Sequence, residues 1–516
     1  MYGFTGVRIR PTVPQLSLVC ILGAAVALRA CGVTANLPDY PAWDEPNIVE
    51  RAFAVGGGHL NPHFFRWPGT LLIYANAFLF AAYYAVGHVV GWFHSLREFQ
   101  RAYQTDPTAF YVLARFLNIG TAAATVSLIF LITRQLGLLA AATAGLLIAV
   151  SPLHVAESAV AYTDVPATLL LTAALITIVP FAEKPRLRNF VLSGLLLGLG
   201  TAIKYYVVAG AAGIACAAML SPVPRLRRIQ WLTIAGASAV VGFLLGCPFI
   251  VFAYPEFSAD FAFQLTHQST GHLGFEPVGN PVVWYVRRSL LPAVGLPALL
   301  GASYGVVAIV RRHRRYLPLI VAGVVYFAFA TLSHVSFQRY AVPHVAVVAI
   351  AAAAAVSTLG TAPFLSWLAA ASIVAVPAWG AVGVAIERQK EDVRVVAARW
   401  LEANIGPSRR VLSYYDGPRF PATLQLSQYN PISDKQFDIV ESGRIDVFVL
   451  MSGTVKQIQE EPALRNHAEV AESHLRLYDW VRQHAALVAT FRKDSEHRGG
   501  DVEIYVTSSA PRQAGH

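Results

Sequence analysis

Residues 67–92 read WPGTLLIYANAFLFAAYYAVGHVVGW, and whether this stretch crosses a membrane decides which side every later segment occupies. It is apolar and long enough for the roughly 20 residues that one crossing takes. Its own flanks carry little charge to orient it, so the rest of the chain must decide. Apolar runs fall at about 14–34, 109–133, 137–154, 164–182, 187–203, 205–221, 229–252, 286–310, 316–334, 340–357 and 363–384. Between them sit Arg134; Lys184, Arg186 and Arg188; Arg225, Arg227 and Arg228; and Arg311, Arg312, Arg314 and Arg315. Basic residues hold short loops on the cytoplasmic side. With the N-terminus inside, about 11 spans put all of these clusters in the cytoplasm. One more span at 67–92 would put RRHRR outside. The stretch is rich in Tyr, Trp and Gly, which suits a helix at the interface or partly embedded in it. It is therefore expected not to cross, and residues 35–108 are expected to form one long external loop with juxtamembrane helices.

The composition agrees with a helical membrane protein of many spans. Of 516 residues, 55% are hydrophobic and 14% charged, with a mean hydropathy of +0.49. Ordinary soluble domains are about 25% charged. The net charge of +10 lies in short inter-span clusters and does not point to nucleic acid. Zinc spacings, a P-loop and a dinucleotide fingerprint are missing. Cys20, Cys31, Cys216 and Cys247 lie in or beside apolar runs, so disulfides are not expected. The basic start and the first apolar run are compatible with a cleaved signal peptide. The run is long for one, and Arg29 spoils a lipoprotein box, so a retained first span is the better reading. After about residue 386 the pattern changes to an amphipathic helix, the buried strand of RIDVFVLMSG and the terminal strand of GGDVEIYVTSS. Residues 386–516 are expected to be a small soluble α/β domain. An odd number of spans in 1–385 puts it outside, with the first loop.

Conspicuous polar residues gather at the external ends of the expected spans. WDEP follows the first. SPLHVAESAVAYTDVP carries His154, Glu157 and Asp164, and GTAIKYY carries Lys204. FQLTHQSTGHLGFE carries His267, His272 and Glu276, and SHVSFQRYAVPH carries His334, Arg339 and Tyr340. Ionisable groups at membrane depth are costly and usually functional. Together they suggest a site for a charged or hydroxyl-rich substrate at the outer face. Each has a plainer explanation as well. Asp44 and Glu45 suit a helix start at Pro46, and Asp164 one before Pro166. Lys204 and Arg339 fit snorkelling cations. His267 and His272 fit ordinary loop histidines.

WDEPNIVERA, NPHFFRWPGTLLIY, SPLHVAESAVAYTDVPATLLL, GLLLGLGTAIKYY and FQRYAVP occur in that order. Over about residues 14–350 the chain resembles the GT-C glycosyltransferases, most closely the family 39 group. That group includes protein O-mannosyltransferases and the aminoarabinose transferase of lipid A. The resemblance implies an α-helical polytopic GT-C fold with a large first external loop. It also implies a polyprenyl-phosphate-linked sugar as donor, and an acceptor hydroxyl on a glycan, lipid or protein. The setting it implies is the outer face of the plasma (inner) membrane. Asp44, its neighbour Glu45 and Asp164 match the acidic positions and are the implied catalytic residues. Lys204 with Tyr205, and Arg339 with Tyr340, match positions implied to bind substrate; Arg66 lies near the basic position before the Pro-rich helix start. His267 and His272 are further substrate-binding candidates. Two departures stand out. Pro46 and Asn47 intervene before Arg51, where the family often has arginine sooner, and its Pro-Pro appears as Pro68-Gly69.

Such a reaction expels a lipid phosphate, so no general acid is strictly required. The site must supply cations for that phosphate and a base for the acceptor hydroxyl. One carboxylate base opposite the leaving group gives inversion; retention would need a carboxylate nucleophile on the sugar carbon. Related oligosaccharyltransferases use a divalent ion, but sure ligands are too few here to call for one, and no cofactor is expected. The rivals are a lipid-sugar transporter or flippase and a non-catalytic scaffold subunit. Transporters tend to show inverted repeats and broken helices at mid-membrane; no clear repeat is seen, and the intact Asp44, Asp164 and Lys204 speak against a scaffold. The topology is testable in a cysteine-free background. A cysteine at position 313 should label only from the cytoplasm, and one at or near position 450 only from outside. The opposite pattern would sink the assignment of sides.

Overall fold

The structure is a computed structural model and describes residues 12–39, 41–179, 186–272, 275–407, 409–414, 417–418, 425–429, 437–453 and 468–507. The loop position Lys184 lies outside the described residues. The helices of the first part are α1 (Val13–Ala30), α2 (Glu45–Gly56), α3 (Thr70–Val89), α4 (Leu96–Thr105), α5 (Thr108–Thr133) and α6 (Leu138–Ala149). They continue as α7 (Pro152–Ser158), α8 (Asp164–Ile178), α9 (Leu187–Thr201), α10 (Gly210–Leu220), α11 (Arg225–Gly246) and α12 (Phe249–Phe252). Last come α13 (Tyr254–Thr270), α14 (Pro281–Tyr285), α15 (Leu291–Arg312), α16 (Leu317–Leu332), α17 (Val342–Thr358) and α18 (Pro363–Gln389). This is an integral membrane protein.

Every expected span coincides with a helix, but not every one is long enough to cross. Among the described residues, 8 helices have the length and apolarity of a membrane span, or 9 if α6 and α7 form one bent span. Helices α8 and α9 have 15 residues each. At 1.5 Å per residue that is about 22 Å, short of the roughly 30 Å hydrocarbon core. The expected span at 137–154 is also modified. It bends by 55° between α6 and α7, because Pro152 begins a new helix and the extended Ser151 before it cannot continue the old one.

Helix α3, the core of the stretch at 67–92, has 20 residues and a mean hydropathy of 1.5, so by length and composition it equals a span. Its packing says more. Leu72, Ile73, Ala77 and Phe80 are buried, while Phe78, Val86 and Val89 are exposed. Aromatic rings from four helices meet on that buried side. Phe53 of α2 stacks on Tyr103 of α4 at 3.8 Å, and Phe80 of α3 and Phe99 of α4 lie 5.2 and 5.1 Å from Phe110 of α5. Centroid separations of 4.5–7 Å are those of favourable aromatic pairs. Helices α2, α3 and α4 thus pack as one layer fastened to α5.

A second hydrophobic core, separate from that of the helices, begins at Val393. Its five-stranded sheet has the order β3-β2-β4-β7-β5, with a two-stranded pair β1-β6 beside it. The strands are β1 (Glu391–Asp392), β2 (Arg410–Tyr414), β3 (Gln425–Tyr429), β4 (Val447–Met451), β5 (Ala485–Phe491), β6 (His497–Arg498) and β7 (Val502–Thr507). Strands β2, β3 and β4 run parallel, and β7 is antiparallel to both β4 and β5. All five residues of β4 are buried, which explains why VFVLM is unbroken by polar residues: a central strand covered on both faces does not alternate. Helix α19 (Val393–Asn404) is capped by Asp392, whose carboxylate accepts from the Arg394 N–H at 3.0 Å.

Close helix contact is written into GLLLG at 194–198. A Cβ on Gly194 would lie 2.1 Å from the Ala235 carbonyl oxygen, and one on Gly198 would lie 1.9 Å from that of Ala239. Two small residues four apart let α9 and α11 touch backbone to backbone. Gly198→Leu should therefore lower stability by about 1–3 kcal/mol, the usual range for overpacking. A thermal midpoint in detergent equal to wild type would show that the two helices do not meet there.

Candidate active site

Asp44 precedes α2, but it does not cap it: its side chain makes no capping hydrogen bond. Instead Oδ2 accepts from Nη1 of Arg339 at 2.6 Å. Arg339 sits in the single turn of 3-10 helix (Gln338–Ala341) that opens α17. The rings of Phe337 and Tyr162 flank its guanidinium at 4.6 and 5.3 Å, an arrangement that favours a partly desolvated cation. A second pair lies beside the first. Asp164, the first residue of α8, accepts from Lys204 Nζ at 2.5 Å. Lys204 follows α9 in extended conformation, and its Nζ is 5.0 Å from the ring of Tyr340. Arg339 and Tyr340 are neighbours in the chain, so the two ion pairs share one wall.

Two buried polar atoms at this wall have no hydrogen-bond partner among the described residues: Nε of Arg339 and Oε2 of Glu157. Buried polar groups are nearly always satisfied. An unused cation donor and an unused carboxylate oxygen are what a site for a polar ligand retains.

Arg66 and the histidines form the site's flank. Arg66 Nε lies 3.5 Å from Asp260 Oδ1 of α13, with its guanidinium 4.2 Å from the ring of Phe263. Phe263 stacks on His267 at 6.0 Å; His267 meets His272 edge-on at 5.1 Å; His272 lies 5.6 Å from Phe337. A row of rings thus runs from Arg66 to Arg339. Burial lowers the pKa of both histidines, helped at His267 by the Arg66 charge and at His272 by His267. Tyr205 points elsewhere. Its hydroxyl donates to the Phe65 carbonyl at 2.6 Å and fastens the loop before α3.

Glu45 differs from its neighbour most of all. It was expected to be a catalytic acid, yet it is fully buried, 0% exposed. Both oxygens are engaged by Arg115 of α5, through Nε at 2.8 Å and Nη2 at 2.7 Å. The Ala161 and Ala42 N–H groups each add a bond at 2.8 Å, while Arg115 Nη1 donates to Val33 O at 2.7 Å. Consecutive residues entering a helix point about 100° apart, so one carboxylate faces the protein while the next faces Arg339. Asn118, one turn on from Arg115, donates to the carbonyls of Val160 and Tyr162 at 2.6 and 2.7 Å. Arg115, Asn118 and Tyr162 were not singled out in the sequence, and Glu157 was noted only as one of its conspicuous polar residues. A lone arginine within the apolar run 109–133 was the available signal for the first. Among the described residues, no three or more of His, Cys, Asp and Glu are grouped so as to hold a metal ion.

Comparisons with known proteins bear on the fold. The family described as dolichyl-phosphate-mannose-protein mannosyltransferase matches residues 112–252. No sequence among curated proteins matches. The structure is similar to ArnT from Cupriavidus metallidurans bound to undecaprenyl phosphate, with 14% identity and a TM-score of 0.56 over 96% of this chain and 99% of that one. Its apo form gives 13% and 0.57 over 97% and 100%. An oligosaccharyltransferase from Archaeoglobus fulgidus, in complex with Zn and sulfate, gives 13% and 0.50 over 87% of this chain and 70% of that one. The fold is therefore the GT-C glycosyltransferase fold that the motif order implied.

Removing one partner of a buried ion pair costs about 3–5 kcal/mol. Glu45→Gln should lower stability by about that much, and Asp44→Asn, at a partly exposed pair, by clearly less. Equal thermal midpoints for the two variants would contradict the separation of roles.

Proposed function

We propose that the protein is an inverting glycosyltransferase of the plasma membrane. It moves a sugar from a polyprenyl-phosphate carrier to an acceptor hydroxyl at the outer face. The observation that carries this proposal is the Asp44–Arg339 pair. A carboxylate and a guanidinium 295 positions apart in sequence sit 2.6 Å apart in space, at the end of the helical body where the other matched residues gather. The likeness to a transferase bound to undecaprenyl phosphate supports a lipid-phosphate donor.

The chemistry follows from the groups present. The bond between the sugar's anomeric carbon and the phosphate oxygen breaks, and the phosphate keeps the electron pair. A bond forms from the acceptor oxygen to the same carbon on the opposite face. The acceptor's proton passes to Asp44. Arg339 and Lys204 are the cations for the phosphate; they are held by Asp44 and Asp164 before substrate arrives. A phosphate that draws the guanidinium toward itself frees a carboxylate oxygen of Asp44 to take the proton. Binding the donor thus readies the base, which disfavours reaction before both substrates are in place. Arginine grips phosphate through two donors where lysine offers a point charge. Glu45 positions the base, and Arg66, Tyr340, His267 and His272 line the approach.

Asp44→Asn should lower turnover on the extracted donor lipid by about 10²-fold or more, the range for loss of a general base, while keeping donor binding. Lys204→Ala, Arg339→Ala and Arg339→Lys should weaken binding of undecaprenyl phosphate and leave binding of undecaprenol unchanged. Wild-type affinity for the phosphorylated lipid in all three variants would remove the phosphate role. Donor binding without any turnover in the wild-type protein would favour a transporter or scaffold.

A further inference from the structure

A hollow of about 330 Å³ opens along α2 beyond Asp44. Asn47, Glu50 and Arg51 form its near wall, and His59, Asn61 and His63 form the far one. At 100° and 1.5 Å per residue, Asp44, Asn47 and Arg51 fall within a stripe about 60° wide. Asn47 is then about 4.5 Å, and Arg51 about 10 Å, further along the helix axis than Asp44. A molecule whose reacting hydroxyl meets Asp44 therefore extends along this stripe into the hollow.

The far wall is braced. His63 Nδ1 lies 3.0 Å from Glu256 of α13, and Asn61 Oδ1 accepts from the His63 N–H at 3.1 Å. Arg51 Nη1 donates to the Pro62 carbonyl at 3.1 Å and lies over the Phe64 ring at 4.7 Å. His63 has φ of 50°, a strained value for a residue with a side chain. Such strain persists only where surrounding contacts impose it, and it is concentrated at ligand sites. Three of the lining residues, by contrast, are unspent. Asn47, Glu50 and His59 have no side-chain hydrogen-bond partner among the described residues. Amide, carboxylate, guanidinium and imidazole groups stand among its lining residues. Both donors and acceptors are on offer, and the formal charges of Glu50 and Arg51 offset each other. That mixture suits an uncharged, hydroxyl-rich ligand better than a lipid tail or an anion.

We propose that this hollow is the acceptor subsite and that the acceptor is a carbohydrate chain, held through Asn47, Glu50 and His59 while its terminal hydroxyl reaches Asp44. The assignment rests on the transferase function proposed above. It is tested with the full chain in lipid nanodiscs loaded with undecaprenyl phosphate. Saturation-transfer NMR would survey manno-, gluco-, galacto- and arabino-oligosaccharides, with unglycosylated peptides as the contrast. At least one oligosaccharide class should bind saturably. Asn47→Ala/Glu50→Gln and His59→Ala should each weaken it tenfold or more, with undecaprenyl phosphate affinity unchanged. Binding of none of the oligosaccharides, equal binding by the variants, or binding confined to the peptides would overturn the assignment. Failure of the transferase function reads out separately, as wild-type lipid-phosphate affinity in the Lys204 and Arg339 variants.

Discussion

The buried pair between Glu45 and Arg115 is the constraint from which the site's geometry follows. A carboxylate and a guanidinium removed from water must satisfy nearly all their hydrogen-bonding capacity within the protein, or the cost runs to several kcal/mol. Here they do so by reaching four separate pieces of chain: the loop at Val33, the turn at Ala42, helix α5 and the segment at Ala161. None of these can shift without leaving a buried hydrogen-bonding group unmet. Asp44 is the residue next to this clamp, and Tyr162 is next to Ala161. The residues that meet Arg339 are thus held by a structure that does not itself face the ligand.

Other buried arginines repeat the device at the same end of the bundle. Arg29 is fully buried and donates to the Ile148 and Ala149 carbonyls at the bend between α6 and α7. A cation is favoured at a helix C-terminus. Arg388, in the last turn of α18, donates to the carbonyls of Arg29, Cys31 and Ala159. Asn36 then accepts from the Asp392 N–H at 2.7 Å. The first loop, the bend before Asp164 and the start of the sheet domain are joined through backbone carbonyls. This matters because α8 and α9, which deliver Asp164 and Lys204, are short. Their ends stop where the site begins, and polar stitching holds them there.

Much of the site was legible because chemistry that is costly in an apolar chain leaves a visible trace. Asp44, Asp164, Lys204 and Arg339 interrupt hydrophobic sequence, and the structure brings them together as two ion pairs. Pairing itself was not legible. Sequence spacing relates residues on one helix, whereas Arg339 finds Asp44 and Arg115 finds Glu45 across the bundle. Hence Glu45 read as a second acid beside Asp44, although a 100° turn separates their directions. Glu256 and Asp260 were passed over for the same reason: in EFSADFAFQL nothing local says that they grip His63 and Arg66. The bend at Pro152 did have a local signal, which a continuous run of hydropathy concealed. Helix length was hardest to read, since the interiors of α8 and α9 are largely apolar and their shortness is fixed by where polar partners take the chain.

The two ion pairs at the site's wall also explain how so many charges tolerate one low-dielectric corner. An isolated ion moved there would be expensive, and its cost falls only if a partner is already present. Pairing each cation with its own carboxylate keeps the empty site near neutral. A phosphate ester entering such a site meets cations that need no new charge from solution and only a change of partner. In the proposed reaction the carboxylates released by that exchange would stand beside the bond to be broken, and the Glu157 oxygen is the further unpartnered acceptor of this corner. Stability of the empty protein and readiness for a charged lipid are therefore two uses of the same four residues. The Glu45–Arg115 pair stands outside the exchange because every atom it offers is already bound.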